Sequence, residues 1–192
     1  MEPVLFIGVP LLLLLIWVIG TWNGLVRLRN HCNEPWPGID TELKRRYDLI
    51  PNLVAAVKGY AKHERGTFEA VVEARTRAKA ATGTPSQQAD AENGLVRALR
   101  GLFIVSEAYP DLKASTNFLA LQRQLSNTED RIQSSRRFYN ANVRDMNNRG
   151  EAFPSNLVAN MGGFSRREFF EVEDAGVREV PKIDLGSGGT GS

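Results

Sequence analysis

The chain has one cysteine, Cys32, and two histidines, His31 and His63, in 192 residues. A single cysteine excludes an intrachain disulfide framework and fits a reducing compartment. Two histidines leave little from which to build a histidine-based metal site. Excess charge is scarce too: 24 Lys and Arg face 22 Asp and Glu, a net charge of +2. No strong basic patch stands out, so nucleic acid is not an expected partner. A P-loop, a Rossmann glycine pattern and G-x-S-x-G are all missing. His63-Glu64 opens a zinc-protease motif, but Thr67 stands where the second histidine must be, and two imidazoles one turn apart are what grip the ion. His31 and Cys32 are adjacent, and adjacent side chains on a helix point different ways. The expectation is therefore a protein without catalytic residues, without a cofactor and without a metal.

Charge is absent altogether from "VLFIGVPLLLLLIWVIGTW", Val4 to Trp22. At about 1.5 Å per residue this run spans roughly 28 Å, close to the roughly 30 Å of bilayer hydrocarbon. A buried core helix would show a polar side, and this one shows none. The expected membrane-spanning residues are Val4, Leu5, Phe6, Leu11, Leu12, Leu13, Leu14, Leu15, Ile16, Trp17, Val18, Ile19 and Trp22, with Trp22 at the interface. A cleaved signal peptide needs a basic leader and an A-x-A site; here only Met1, Glu2 and Pro3 precede the run, and no such site follows. An uncleaved anchor is expected. Arg27 and Arg29 follow the span and no Lys or Arg precedes it, so the positive-inside rule places residues 24–192 in the cytoplasm, with the N-terminus outside a bacterial inner membrane. Lys44, Arg45 and Arg46 are candidates for contact with anionic headgroups, although Glu42 and Asp48 dilute them and a solvated helix face is the stronger reading. Cys32 near the inner surface reads as a free thiol, with palmitoylation the lesser alternative.

Beyond the span the pattern is helical, and no strand-like alternation of useful length appears before residue 168. "HCNEPWPGID" places two prolines and a glycine within four residues, the mark of a turn or hinge. A first body helix is expected from about Asp40 to Ala81, striped by Leu43, Tyr47, Ile50, Val54, Val57, Ala61, Phe68, Val71 and Ala78. Pro51 sits inside it and is read as a kink, which leaves the Tyr47 carbonyl to be satisfied by water, by another helix or by a second protomer. Gly83, Thr84 and Pro85 stop one helix and start the next, expected over 85–108. A third is expected over 112–149 and a short fourth within "PSNLVANMGG". Phe118, Leu121, Leu125, Ile132, Tyr139, Val143 and Met146 step by three, four and seven, forming a seam for a bundle core or an interface. Gln124, Thr128, Ser135 and Asn142 fall on or beside that seam and need partners if buried.

Long helices with short connections must lie antiparallel to bury their stripes. The expected fold is all-α: an N-terminal transmembrane helix, then an elongated antiparallel bundle of three long helices plus a short fourth. The expected organisation is an anchor over 1–26, a hinge over 27–38, a bundle over 39–175 and a flexible tail over 176–192, where "LGSGGTGS" has the composition of a linker.

Three long stretches resemble the signature of the LemA family: "LRNHCNEPWPGIDTELKRRYDLIPNLVAAVKGYAKHERGTFEAVVEAR", "YPDLKASTNFLALQRQLSNTEDRIQSSRRFYNANVRDMN" and "FPSNLVANMGGFSRREFFEVED". The resemblance covers roughly residues 20–175. It implies a single-span membrane protein carrying a cytoplasmic antiparallel helical bundle, with no established enzymatic activity or catalytic residue to transfer. A related protein takes part in forming magnetosome membranes, which implies a role in membrane organisation. Pro35 and Pro37, flanking Trp36, depart from the family's more helix-compatible stretch and argue here against a continuous rod from membrane to bundle. The functional expectation is a homo-oligomer or scaffold acting on membrane lipid or a protein partner. The alternative is an anchored adaptor that recruits a protease or signalling protein without self-assembly.

Overall fold

The computed structural model describes residues 2–172, with side chains from residue 6 onward. The side chains of Val4 and Leu5 and the expected tail over 176–192 lie outside the described residues. Helix is the only regular structure among them. α1 spans Glu2–Asn33, α2 Trp36–Lys58, α3 Arg65–Ala80, α4 Pro85–Glu107, α5 Pro110–Ala114, α6 Thr116–Glu151 and α7 Ser155–Met161. With 36 residues, α6 alone is about 54 Å long. α2 packs along α6 and α3 along α4, while the second half of α1 packs on α6 and α7. Leu43, Ile50 and Val57 of α2, Val71 of α3, Leu95 and Leu102 of α4, and Leu125, Ile132 and Val143 of α6 share one continuous core.

The expected hinge over 27–38 narrows to a two-residue turn at Glu34 and Pro35. Pro35 caps α2 and Pro37 lies in its first turn, where backbone N–H groups have no intrahelical partner to lose. Helical bonding closes in on the turn from both sides, Glu34 N donating to Asn30 O at 3.2 Å and Ile39 N to Pro35 O at 3.1 Å. Side-chain pairing shows that the line of the helix continues. Asn142 of α6 bonds the His31 carbonyl, Tyr139 meets Trp36, Arg131 meets Glu42 and Glu129 meets Arg46. As the α1–α2 numbers climb, the α6 numbers fall in step. Contrary to the sequence expectation, the prolines do not interrupt the rod.

Pro51 is passed without a break, with α2 helical on both sides. The Tyr47 carbonyl that a proline leaves unbonded accepts instead from Arg75 Nε of α3 at 2.7 Å. The rod ends later, where the sequence reading expected it to continue. α2 stops at Lys58, and Gly59–Glu64 lead into α3, so the single helix expected to run to Ala81 is two antiparallel helices. Ala61, in the connection, is fully buried and keeps its place on the apolar stripe. Its step of seven to Phe68 reads the same in an unbroken helix.

The start of α4 is as its sequence implies. Thr84 and Gln87 form a reciprocal capping box, Thr84 N donating to Gln87 Oε1 at 3.1 Å, with Pro85 in the first turn. The helix expected over 112–149 divides at Ser115, which ends α5 and whose hydroxyl caps α6 by accepting from Phe118 N.

Candidate functional site

Charge is buried where the two helix pairs meet. Arg46 and Glu92 have fully buried side chains and Glu129 is 15% exposed. Arg46 Nη1 donates to both Glu129 oxygens at 2.9 Å. Its Nη2 donates to Glu92, whose other oxygen accepts from the Tyr47 hydroxyl. α2, α4 and α6 are thus joined through one guanidinium. One cation faces two carboxylates, and burial of the excess charge pushes the Glu92 carboxyl up, against the opposing pull of Arg46 and the Tyr47 hydroxyl. For Arg46, burial opposes the charge, but Glu129 and Glu92 outweigh it and the guanidinium is held protonated more firmly than usual. Burial, with Glu92 alongside, pushes the Tyr47 phenol far up, so it remains a donor. No group of three or more candidate metal ligands occurs among the described residues, and the cluster's hydrogen bonds hold three helices together.

Beside the cluster a cavity of about 790 Å³ opens, lined by Cys32, Trp36, Asp40, Tyr47, Tyr139 and Arg167 among others. Cys32 is 1% exposed, and burial raises its pKa despite the opposing Arg167 charge. A thiol held in its neutral form is a poor nucleophile, and its burial leaves no accessible sulfur for acylation. Asp40 and Tyr139 are likewise pushed up by burial.

The segment from Phe164 to Val172 runs extended along α6. Two asparagines, seven residues apart on α6, hold it as a neighbouring strand would. Asn147 donates to Arg167 O and accepts from Arg167 N, and Asn140 does the same with Phe170. The Tyr139 hydroxyl donates to Glu168 O. Phe170, fully buried, closes edge-on against Trp36 at 5.5 Å, and Trp36 meets Tyr139 at 5.3 Å. The Glu168 side chain accepts from the Ser86 hydroxyl at the start of α4, and hydrogen bonds from Ser86 and Thr84 hold its carboxyl below the usual range. The Pro-Trp-Pro element is therefore a clasp joining α2, α6 and this strap.

Of the expected membrane-spanning residues, Phe6, Leu11, Leu12, Leu13, Leu14, Leu15, Ile16, Ile19 and Trp22 are exposed, while Trp17 and Val18 pack partly against the core. By length and composition this helix can cross a bilayer. Arg27 and Arg29 are exposed, with the Arg29 guanidinium 5.3 Å from the Phe164 ring centre. Along α6, Phe118, Leu125, Ile132, Tyr139, Val143 and Met146 are buried and Leu121 is half-buried. Thr128 bonds back to Gln124 O within its own helix, and Asn142 caps the His31 carbonyl. Arg46 does not join the basic headgroup patch considered for Lys44, Arg45 and Arg46: it points into the bundle, and Arg45 pairs with Glu42 at 3.2 Å.

The buried cluster and the asparagine clamps escape a reading based on apolar positions. Their signal was periodic all the same. Arg46 falls on the stripe set by Leu43 and Ile50, Glu92 one turn before Leu95, and Glu129 one turn after Leu125, so each charge occupies a core position that demands a partner.

The sequence pattern of the LemA family matches residues 35–185. The chain is 23% identical to Protein LemA of Metamycoplasma hominis over 167 residues, covering 87% of this chain and 74% of that protein. It is 26% identical to Magnetosome protein MamQ 2 of Paramagnetospirillum magneticum, over 81% of this chain and 66% of that protein. With Magnetosome protein MamQ of Magnetospirillum gryphiswaldense the identity is 24% over the same shares. The chain thus spans a little under two thirds of the length of these magnetosome relatives, and none of the three names denotes an enzyme. With its helical bundle, its apolar N-terminal helix and a family match over most of its length, the chain belongs to the LemA family and is a membrane-associated member of it.

Proposed function

We propose that this chain is a non-enzymatic single-pass protein of the bacterial inner membrane. Its cytoplasmic bundle self-assembles or scaffolds partners at the membrane surface, and in doing so organises the membrane. The observation that carries the reading is the rigid join between anchor and bundle. Trp17, Val18, Thr21 and Leu25 of α1 pack into the bundle, and the turn at Glu34 and Pro35 is clasped by Trp36, Tyr139 and Phe170. A tether would need none of this, whereas a body that imposes geometry on a bilayer needs a stiff attachment. The magnetosome names of two relatives point the same way.

The mass of the full chain in lipid nanodiscs, measured by light scattering, tests the assembly. Multiple copies per particle are the expected result. Monomers would transfer support to an anchored adaptor, a reading that the open groove beside Cys32 and Arg167 favours as a place for a partner segment. Topology needs a separate probe, because buried Cys32 resists labelling from either side. A cysteine at exposed Ser134 in a Cys32→Ala background should label with an impermeant thiol reagent only after cells are opened. Labelling in intact cells would place the bundle outside.

A further inference from the structure

α6 ends beside the membrane helix. Asn142 caps the His31 carbonyl, and a further nine residues of antiparallel α6 rise about 13 Å, which brings Glu151 level with Trp22. α7 then packs on α1. The fit there is close: a Cβ at Gly162 would stand 2.6 Å from the Trp22 ring, and Phe164 meets Trp22 edge-on at 5.4 Å. Gly163, at φ +65°, turns the chain back toward the strap in a conformation other residues rarely adopt. Inward, α7 buries Ser155, Val158 and Ala159. Outward, it presents Leu157 and Met161, 54% and 86% exposed and one turn apart, and the turn that leads into it presents Phe153, 81% exposed. Residues 152–165 contain no Asp, Glu, Lys or Arg; Glu151 and Arg166 border them and pair with each other at 3.8 Å, with Arg149 just before.

We propose that α7 is a second membrane contact. Phe153, Leu157 and Met161 enter the bilayer interface beside Trp22, while Arg149 and Arg27 face anionic headgroups around it and Arg166 offsets the charge of Glu151. A short amphipathic element lying in the interface buries its apolar face among acyl chains, and a tryptophan at the end of a span marks the headgroup level. Continuity with the exposed apolar surface of α1 selects lipid as the occupant. The three side chains extend the apolar girdle of Ile16, Ile19 and Trp22 sideways, at the height where that girdle leaves the hydrocarbon. A single helix displaces lipid equally in all directions; a helix with a lateral foot displaces it on one side and only in one leaflet. The inference rests on the membrane-anchored reading of α1, and the experiment separates the two.

The full chain, in a Cys32→Ala background, is given single cysteines at Leu13, Leu157, Met161 or Ile104. Each is labelled with an environment-sensitive fluorophore and reconstituted into phosphatidylethanolamine–phosphatidylglycerol vesicles, some containing lipids spin-labelled near the headgroup and others lipids spin-labelled deep in the acyl chain. Ile104 is apolar and 63% exposed, and lies near the end of α4, toward the opposite end of the bundle. Quenching at Leu157 and Met161 several-fold stronger than at Ile104 is the expected result, lost when Phe153 and the unlabelled one of the pair become serine. These positions are exposed, so such variants keep the fold. If Leu13 is quenched by deep spin labels while Leu157 and Met161 behave like Ile104, the α7 contact is overturned and the anchor stands. If Leu13 is not quenched at any depth, the anchor itself fails and the proposal with it. Blue-shifted emission at Leu157 without lipid quenching would mean that a second copy covers the face, which also overturns it.

Discussion

The chain is interrupted twice between the apolar helix α1 and α3, and the two interruptions behave oppositely. At Glu34–Pro35, two prolines and a glycine lie close together, yet the helical line carries on across a two-residue turn. At Gly59–Glu64 there is no proline at all, and the rod ends and reverses. Proline removes a donor and fixes φ, and neither matters in the first turn of a helix, where the donors are free anyway. Its second cost, the orphaned carbonyl four residues back, is met at Pro51 by Arg75. What decides continuity is whether the neighbouring helix keeps supplying partners. α6 does so at His31, Trp36, Glu42 and Arg46; at Gly59 the chain instead turns to lay α3 against α2.

This contrast can be broken from either side. The largest effect belongs to the cluster that holds the uninterrupted rod against α4 and α6. Arg46→Ala leaves Glu92 and Glu129 without their cation and should cost about 3–5 kcal/mol, measured by urea unfolding of the detergent-solubilised chain. Trp36→Ala opens the clasp and should cost about 3 kcal/mol. It should also convert the first interruption into the hinge that its prolines suggest on paper. Spin labels at exposed positions of α1 and α6 would then show a broadened distance distribution, whereas an unchanged one would mean that Asn142 alone holds the line. Arg75→Met strands the Tyr47 carbonyl and should cost about 1–3 kcal/mol. Adding Pro51→Ala, which restores the missing N–H, should recover most of that loss, and additivity of the two changes would disconnect Arg75 from the proline.

The smallest effect is a pH dependence of unusual sign. Burial raises the Glu92 carboxyl above its ordinary 4.5. Between 4.5 and that raised value the folded chain holds a proton that the unfolded chain has released, so this group's contribution to stability falls as pH rises through the window. Acidification within the window should therefore stabilise the wild type relative to Glu92→Gln, opposite to the usual trend for paired carboxylates. Parallel curves for the two proteins would show that Glu92 remains ionised.

Most of the architecture was legible because apolar stripes report burial directly. Leu43, Ile50 and Val57, and then Phe118, Leu125, Ile132 and Val143, mark the faces that meet. The Thr84–Gln87 box marked a helix start, because a cap is a local device written in adjacent residues. The break at Gly59 was hidden by the same periodicity that revealed the core, since Ala61 and Phe68 keep the stripe across it. The strap was not legible at all: its partners are side-chain amides on α6 bonded to main chain, which any residue sequence supplies equally. Asn140 and Asn147 gave only their heptad spacing as a clue. The exposed face of α7 is hidden in the sequence for another reason. Two turns of helix carry too few residues for periodicity to speak, and only its height against Trp22 gives Leu157 and Met161 a meaning.

The strap also sets an order of events in time. α1 leaves the ribosome before the bundle is made, whereas Phe170, which completes the clasp over Trp36, follows all seven helices. Domains form from the N-terminal side as synthesis proceeds. α6 and α7 seat α1 as they form, and the arrival of the strap after α7 adds the last constraint on its angle to the bundle. A nascent chain stalled before Phe170 would hold every helix and still lack its clasp.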